Sequence, residues 1–162
     1  MKEKVIGLLL ILVMFSTITF GIYKSINNRI VLTKDNIKYI HYSYSTGDMA
    51  NSNVHYYIDL VDGKYILSLK PEEVDDSLTK KVVLDEKTIE QLVNRLNKEN
   101  IYLWNGFREN DKDALDGDSF SLYISTKDNE EINASGYERW PNNYFEVKSI
   151  FYSMFYDLYD KD

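Results

Sequence analysis

Apolar and polar positions give the chain three textures. Residues 5–23 (VIGLLLILVMFSTITFGIY) are a single uncharged apolar run, residues 24–36 are mixed, and from Ile37 onward short apolar stretches alternate with polar ones. The stretch Ile37 to Tyr44 is rich in aromatic and β-branched residues, which predicts a strand. A polar loop over 46–53 follows. From Val54 to Val61, apolar Val54, Tyr56, Ile58 and Leu60 alternate with His55, Tyr57 and Asp59, the period-two pattern of a strand with one buried face. Asp62-Gly63 then supplies the two residues that best tolerate the positive φ of a tight hairpin turn. Tyr65, Leu67 and Leu69 carry a third strand that Pro71 ends.

The period changes after an acidic loop. Lys81 to Leu84 reads as a short strand running into a helix, with Asp85 placed to accept a backbone N–H near Thr88. Ile89, Leu92, Val93 and Leu96 recur at intervals of three and four, the stripe of an amphipathic helix. Beyond Ser119 the alternation of Phe120, Leu122 and Ile124 with serines and Tyr123 predicts another strand. A turn at Lys127–Glu130 and a strand from Glu131 to Tyr137 follow. Pro141 suits the first turn of a long last helix, where its missing N–H leaves no bond unmade. Tyr144, Val147, Phe151, Met154, Phe155 and Leu158 would line its main face; Phe145, Ile150, Tyr152, Tyr156 and Tyr159 lie off it. The order β-β-β-β-α-β-β-α, with short connections, predicts an α+β fold: an antiparallel sheet covered on one face by two helices.

The N-terminal run changes the setting of that domain. Nineteen helical residues span about 28 Å, close to the hydrocarbon thickness of a bilayer. Lys2 and Lys4 supply a charged start, but no small-x-small pair marks a cleavage site around Phe20–Lys24. Residues 1–23 are therefore expected to form an uncleaved transmembrane anchor, with a cleaved signal peptide as the alternative. Residues 24–36 form a juxtamembrane connector, and residues 37–162 a single domain large enough to bury about two-thirds of its unfolded surface. Lys24, Arg29 and Lys34 beyond the run nearly balance Lys2 and Lys4 before it, so orientation follows the default for such leaders. The expected location is the cell membrane, single-pass, with the C-terminal domain extracytoplasmic and the lipid bilayer contacted by residues 5–23.

Charge narrows the partners. Residues 1–34 hold five Lys or Arg and one Glu, a net of +4; residues 35–162 hold 14 basic and 25 acidic side chains, a net of −11. A domain that acidic is repelled by phosphate backbones, which sets nucleic acid aside. There is no cysteine, so neither a disulfide framework nor a lipidated cysteine is available.

Candidate chemistry is sparse. The segment Glu109–Asp118 (ENDKDALDGD) is dense in carboxylates, but its spacing does not match a calcium-binding EF-hand loop, and it reads as a solvated loop with Asp116-Gly117 as a turn. His41 and His55, the two histidines, would approach each other if their strands pair, and two imidazoles can begin a zinc site. Zinc needs a further protein ligand, and no spacing supplies one. No nucleophile elbow, phosphate loop or dinucleotide fingerprint occurs, so no catalytic residue, metal or cofactor is assigned. The conspicuous surplus is aromatic: 14 Tyr, 7 Phe and 2 Trp. Tyr42, Tyr44, Tyr57, Trp104 and Trp140 are candidate ligand-facing or structural aromatics, because a flat body with a polar tip serves binding platforms and buried sheets alike.

Tyr102-Leu103-Trp104-Asn105-Gly106-Phe107, Leu115-Asp116-Gly117-Asp118-Ser119-Phe120, Gly136 and Pro141-Asn142-Asn143-Tyr144 together resemble a small bacterial domain of secreted or membrane-anchored proteins. Its pattern is W-N-G-F…L-D-G-x-S-F…G…P-x-N-[YF], and its function is unknown. The resemblance implies an α+β fold in an exported or tethered protein, and no activity. The expectation is a membrane-anchored, non-enzymatic interaction module that binds a protein or envelope component through its exposed sheet or last helix. An enzyme acting on envelope polymers through carboxylates, or an accessory subunit of a membrane complex, is the alternative.

Overall fold

The computed structural model describes residues 29–47, 54–71 and 79–159. The expected anchor, residues 5–23, lies outside them; among the described residues no helix is long and apolar enough to cross a membrane. Seven strands form one sheet: β1 (Ile37–Ser45), β2 (Val54–Val61), β3 (Lys64–Pro71), β4 (Lys80–Leu84), β5 (Arg108–Asn110), β6 (Ser119–Thr126) and β7 (Glu131–Tyr137). The helices are α1 (Glu86–Lys98) and α2 (Tyr144–Tyr159), with a 3-10 turn over Ile101–Trp104. The strand order is β4-β3-β2-β1-β6-β7-β5.

Every pairing is antiparallel except β5 with β7, which is parallel. The α+β class with two helices holds, and the sheet is mixed where a purely antiparallel one was expected. The seventh strand comes from the start of the acidic segment that read as a loop. Arg108–Asn110 is polar and exposed throughout, so it carries no hydrophobic period. Its place is set by the backbone of β7 and by flanking bonds, Ser135 N–H to Phe107 O at 2.9 Å and Asp111 N–H to Tyr137 O at 2.8 Å.

The local signals act as chemistry dictates. Asp62 and Gly63 take φ of 49° and 75° and close the β2–β3 hairpin. Asp85 accepts from the Thr88 amide at 2.7 Å, satisfying a first-turn donor of α1. Pro141 lies before α2 rather than in its first turn: the helix begins at Tyr144, and Tyr144 N–H bonds back to Pro141 O at 3.3 Å. Ile150 is buried beside Val147, Phe151 and Phe155, so the buried stripe of α2 is wider than the main face read from the sequence.

β1 contains a bulge. Ile37 pairs with Thr126 and Tyr39 with Ser125, leaving Lys38 as the extra residue. That one residue places Ile37 and Ile40 on the same buried side although they are three positions apart. The covered face then runs through Ile40, Tyr42, Tyr56, Ile58, Leu67, Leu122, Ile124, Ile132 and Ala134, all nearly or fully buried. Phe151 of α2 stacks on Tyr42 (centroids 4.4 Å apart, planes 18°) and touches Tyr56. At the far end, Trp104, Phe120 and Tyr144 make a second aromatic cluster.

The segment before β1 is bound to this body. Leu32 is buried, and the Asn97 amide brackets its backbone, donating to Leu32 O at 2.6 Å and accepting from Leu32 N–H at 3.0 Å. Lys34 pairs with Glu86 at 2.9 Å, and the Tyr65 hydroxyl donates to Lys34 O, with Ile37 O 3.0 Å away as a second acceptor.

Candidate functional site

With both helices on one side, no described element covers the other side of the sheet, and register decides what it displays. One row across it reads Ser68, Tyr57, His41, Tyr123, Asn133 on β3, β2, β1, β6 and β7. The next reads His55, Ser43, Ser121, Ser135. All nine side chains are half-buried, as expected of neighbours on a flat sheet. Charge enters these rows only at their ends, at Lys81 beyond Ser68 on β4, Lys70 beside His55 on β3 and Arg108 beside Ser135 on β5, although residues 35–162 carry a net charge of −11. Carboxylates return in the third row, where Asp59 faces Tyr39, with Glu131 beyond Ser125.

The centre of the face is a rigid ring assembly. Tyr57 stacks flat on His41, with centroids 4.3 Å apart and planes within 5°. His41 Nε2 lies 3.2 Å from His55 Nδ1, and the Tyr57 hydroxyl lies 3.4 Å from the same nitrogen. The imidazole planes are within 10° and their centroids 5.5 Å apart. That separation is the nitrogen gap extended by the two ring radii, so the nitrogens meet edge to edge, the geometry of an N–H···N hydrogen bond between neutral rings. A tetrahedral ion needs lone pairs converging at an angle. Among the described residues no group of three or more His, Cys, Asp or Glu is placed to hold a metal.

Electrostatics keep this patch neutral. Burial, followed by the neighbouring His55, pushes His41 down to about 4, so it is uncharged at physiological pH. Burial, with Asp59 second, pushes Tyr39 up to about 12. Asp59 is itself raised by burial, with Lys81 opposing. Tyr123 is raised chiefly by its 2.7 Å hydrogen bond to Glu131.

The five aromatics singled out from the sequence fall in three places. Tyr57 is on the open face. Tyr42 is fully buried under Phe151, and Tyr44 is at the rim of the covered side, with the Lys148 ammonium 4.3 Å above its ring. Trp104 and Trp140 come together at one end of the sheet, lining a cleft of about 500 Å³ with Leu103, Phe107 and Pro141. Trp104 is buried and donates from Nε1 to Asn142 O at 2.9 Å, whereas Trp140 is half-exposed and stacks on Tyr144 at 4.3 Å. Sequence reasoning did not single out His41, His55 and Tyr57 as a stacked unit. The period-two pattern put them off the apolar face, but only register shows which of them touch.

The acidic segment is tied into the fold. Asp111 pairs with Arg139 at 2.8 Å, Asp118 accepts from Gly47 N–H at 3.0 Å, and Glu138 accepts from Asp118 N–H. These carboxylates anchor the β5–β6 connection. Compared with known proteins, the chain matches no family model and no curated protein.

Proposed function

We propose that the protein is a membrane-anchored, non-enzymatic binding module, held in the bilayer by residues 5–23. Its domain stands on the extracytoplasmic side and takes a protein component of the envelope on the open face of the sheet. One observation carries this reading: a strongly acidic domain keeps charge out of the middle of one face and fills it with tyrosine, histidine, serine and asparagine. Interface centres are depleted in charge and enriched in tyrosine. Tyrosine brings a large rigid contact area at low entropic cost, and serine or asparagine adds adaptable hydrogen bonds. The resemblance to a domain of secreted and membrane-tethered bacterial proteins supports the same placement.

The test uses a photocrosslinking residue placed at Tyr57 or Tyr123 in the full-length protein in intact cells, compared with the same residue at Phe145 or Tyr152 on the exposed side of α2. Discrete protein adducts at the two sheet positions are expected, and each should be lost when the other tyrosine is changed (probe at Tyr57 with Tyr123→Ser, probe at Tyr123 with Tyr57→Ser) with unchanged circular dichroism. Adducts confined to α2, or a domain shielded from protease added to intact cells, would overturn the proposal.

A further inference from the structure

We infer that the cleft beside the 3-10 turn is a second, independent binding site, for an oligosaccharide without anionic groups. Its volume, about 500 Å³, is within the range that small ligands occupy, and it opens to solvent. The platform is Trp140. Its ring is half-exposed toward the cleft and held from behind by Tyr144, with centroids 4.3 Å apart and planes 22° from parallel. Tyr144 is in turn buried against Trp104 and Phe120. An aromatic surface fixed before the ligand arrives loses no rotamer freedom on binding, which suits the flat C–H face of a pyranose.

The rest of the lining supplies hydroxyl partners. Asn100 and Asn143 both hold left-handed backbone, φ 54° and 61°, and both line the cleft. Asn100 precedes the 3-10 turn yet makes no side-chain capping bond there. Glu99 and Glu109 add carboxylate acceptors from opposite sides in sequence, the end of α1 and β5. Amides and carboxylates around an indole can accept and donate to several hydroxyls at once. The same carboxylates repel uronic acids, phosphorylated polymers and nucleic acids. Leu103, 64% exposed at the rim, extends the apolar floor beyond one ring and favours a chain of sugars over a monosaccharide. The cleft shares no residue with the central rows of the open face, so the two sites stand or fall separately.

The experiment titrates the full-length protein in a neutral lipid nanodisc with hexamers of N-acetylglucosamine and of glucose, and with a polyuronate of equal length. A Trp104→Phe background isolates Trp140 emission. Saturable change in that emission with a neutral hexamer, none with the polyuronate, and at least a tenfold weaker calorimetric affinity in Trp140→Ala are expected. Asn143→Ala, read by calorimetry in the native Trp104 background, should weaken binding severalfold while the thermal midpoint stays within a few degrees. The inference is overturned if neither neutral hexamer binds up to about 10 mM, if Trp140→Ala binds as tightly as the parent, or if the polyuronate binds best. Loss of sheet-face crosslinks with glycan binding retained would remove the protein-binding proposal and leave this one intact.

Discussion

Removing one oxygen from the core should strengthen this fold. Tyr42 is fully buried, its ring stacked on Phe151, and its hydroxyl finds no hydrogen-bond partner among the described residues. The Tyr144 hydroxyl is near enough to act on it: burial first, and Tyr144 next, hold Tyr42 well above the usual tyrosine pKa. The contact does not complete a bond of ordinary geometry. A buried hydroxyl without a partner costs about 1–3 kcal/mol in lost hydration, and Tyr144 recovers part of that electrostatically. Tyr42→Phe keeps the ring and its stack and removes the unmatched dipole, so a gain of about 1 kcal/mol is expected. For a domain of this size that is about 4 °C in Tm. With a urea m-value of about 2 kcal/mol/M it moves the midpoint up by about 0.5 M. The assay is urea unfolding of the full-length protein in non-ionic detergent, followed by Trp fluorescence, with an unchanged slope confirming that the same transition is compared. Tyr42→Ala, which empties the space under α2, should cost about 3–5 kcal/mol. A Tyr42→Phe midpoint lowered by 0.5 M would refute the reasoning, since it would mean that the hydroxyl is bonded across to Tyr144.

Three further outcomes follow from named contacts. A methyl group at Gly136 would stand 2.1 Å from the Arg139 carbonyl and 2.6 Å from Phe120, so Gly136→Ala should lower stability by about 3 kcal/mol or prevent folding; a wild-type midpoint would contradict the packing at β7. Asp85→Ala removes the acceptor of the Thr88 amide and should lower the urea midpoint, whereas Asp85→Ser should restore most of it. His41 has a folded-state pKa depressed to about 4, so its contribution is complete above its unfolded value near 6.5 and is lost as pH falls between those limits. Solvent access to this half-exposed ring reduces the effect to about 1 kcal/mol. Asp59, raised by burial, acts in the opposite sense and only toward the acid end of that window. Unfolding midpoints at pH 7, 6 and 5 should therefore decline in the parent and stay level in His41→Gln.

Local chemistry was readable wherever a residue's role depends on its immediate neighbours. Asp62-Gly63 closes its hairpin and Asp85 caps its helix because each interaction is completed within a few residues. The alternation in β2, β3 and β6 likewise sorted buried from open positions, since a strand's side-chain period is independent of its partners. Ile37 shows the limit of that rule: the Lys38 bulge exists only because β6 lies alongside, and it reverses the side to which Ile37 points. β5 shows another, as an exposed polar triplet becomes a strand only when β7 offers a parallel edge. For the candidate site, Tyr57, Trp104 and Trp140 could be picked by type, but not separated from Tyr42 and Tyr44, because ring chemistry alone does not distinguish a core position from a platform.

Composition and period, which are properties of the chain taken one segment at a time, determined an α+β domain of high negative charge behind an apolar leader, with both helices and every strand but β5 in order. Tertiary structure decided the strand order, the mixed edge, and which aromatic rings meet. It stacked Tyr57 on His41, set His41 against His55 across two strands, and brought Trp104 and Trp140 to one cleft. The division has a physical reason: backbone propensity and turn chemistry act over a few residues, whereas contacts between rings far apart in sequence, His41 with His55 and Trp104 with Tyr144, depend on register and helix packing, which no local segment specifies.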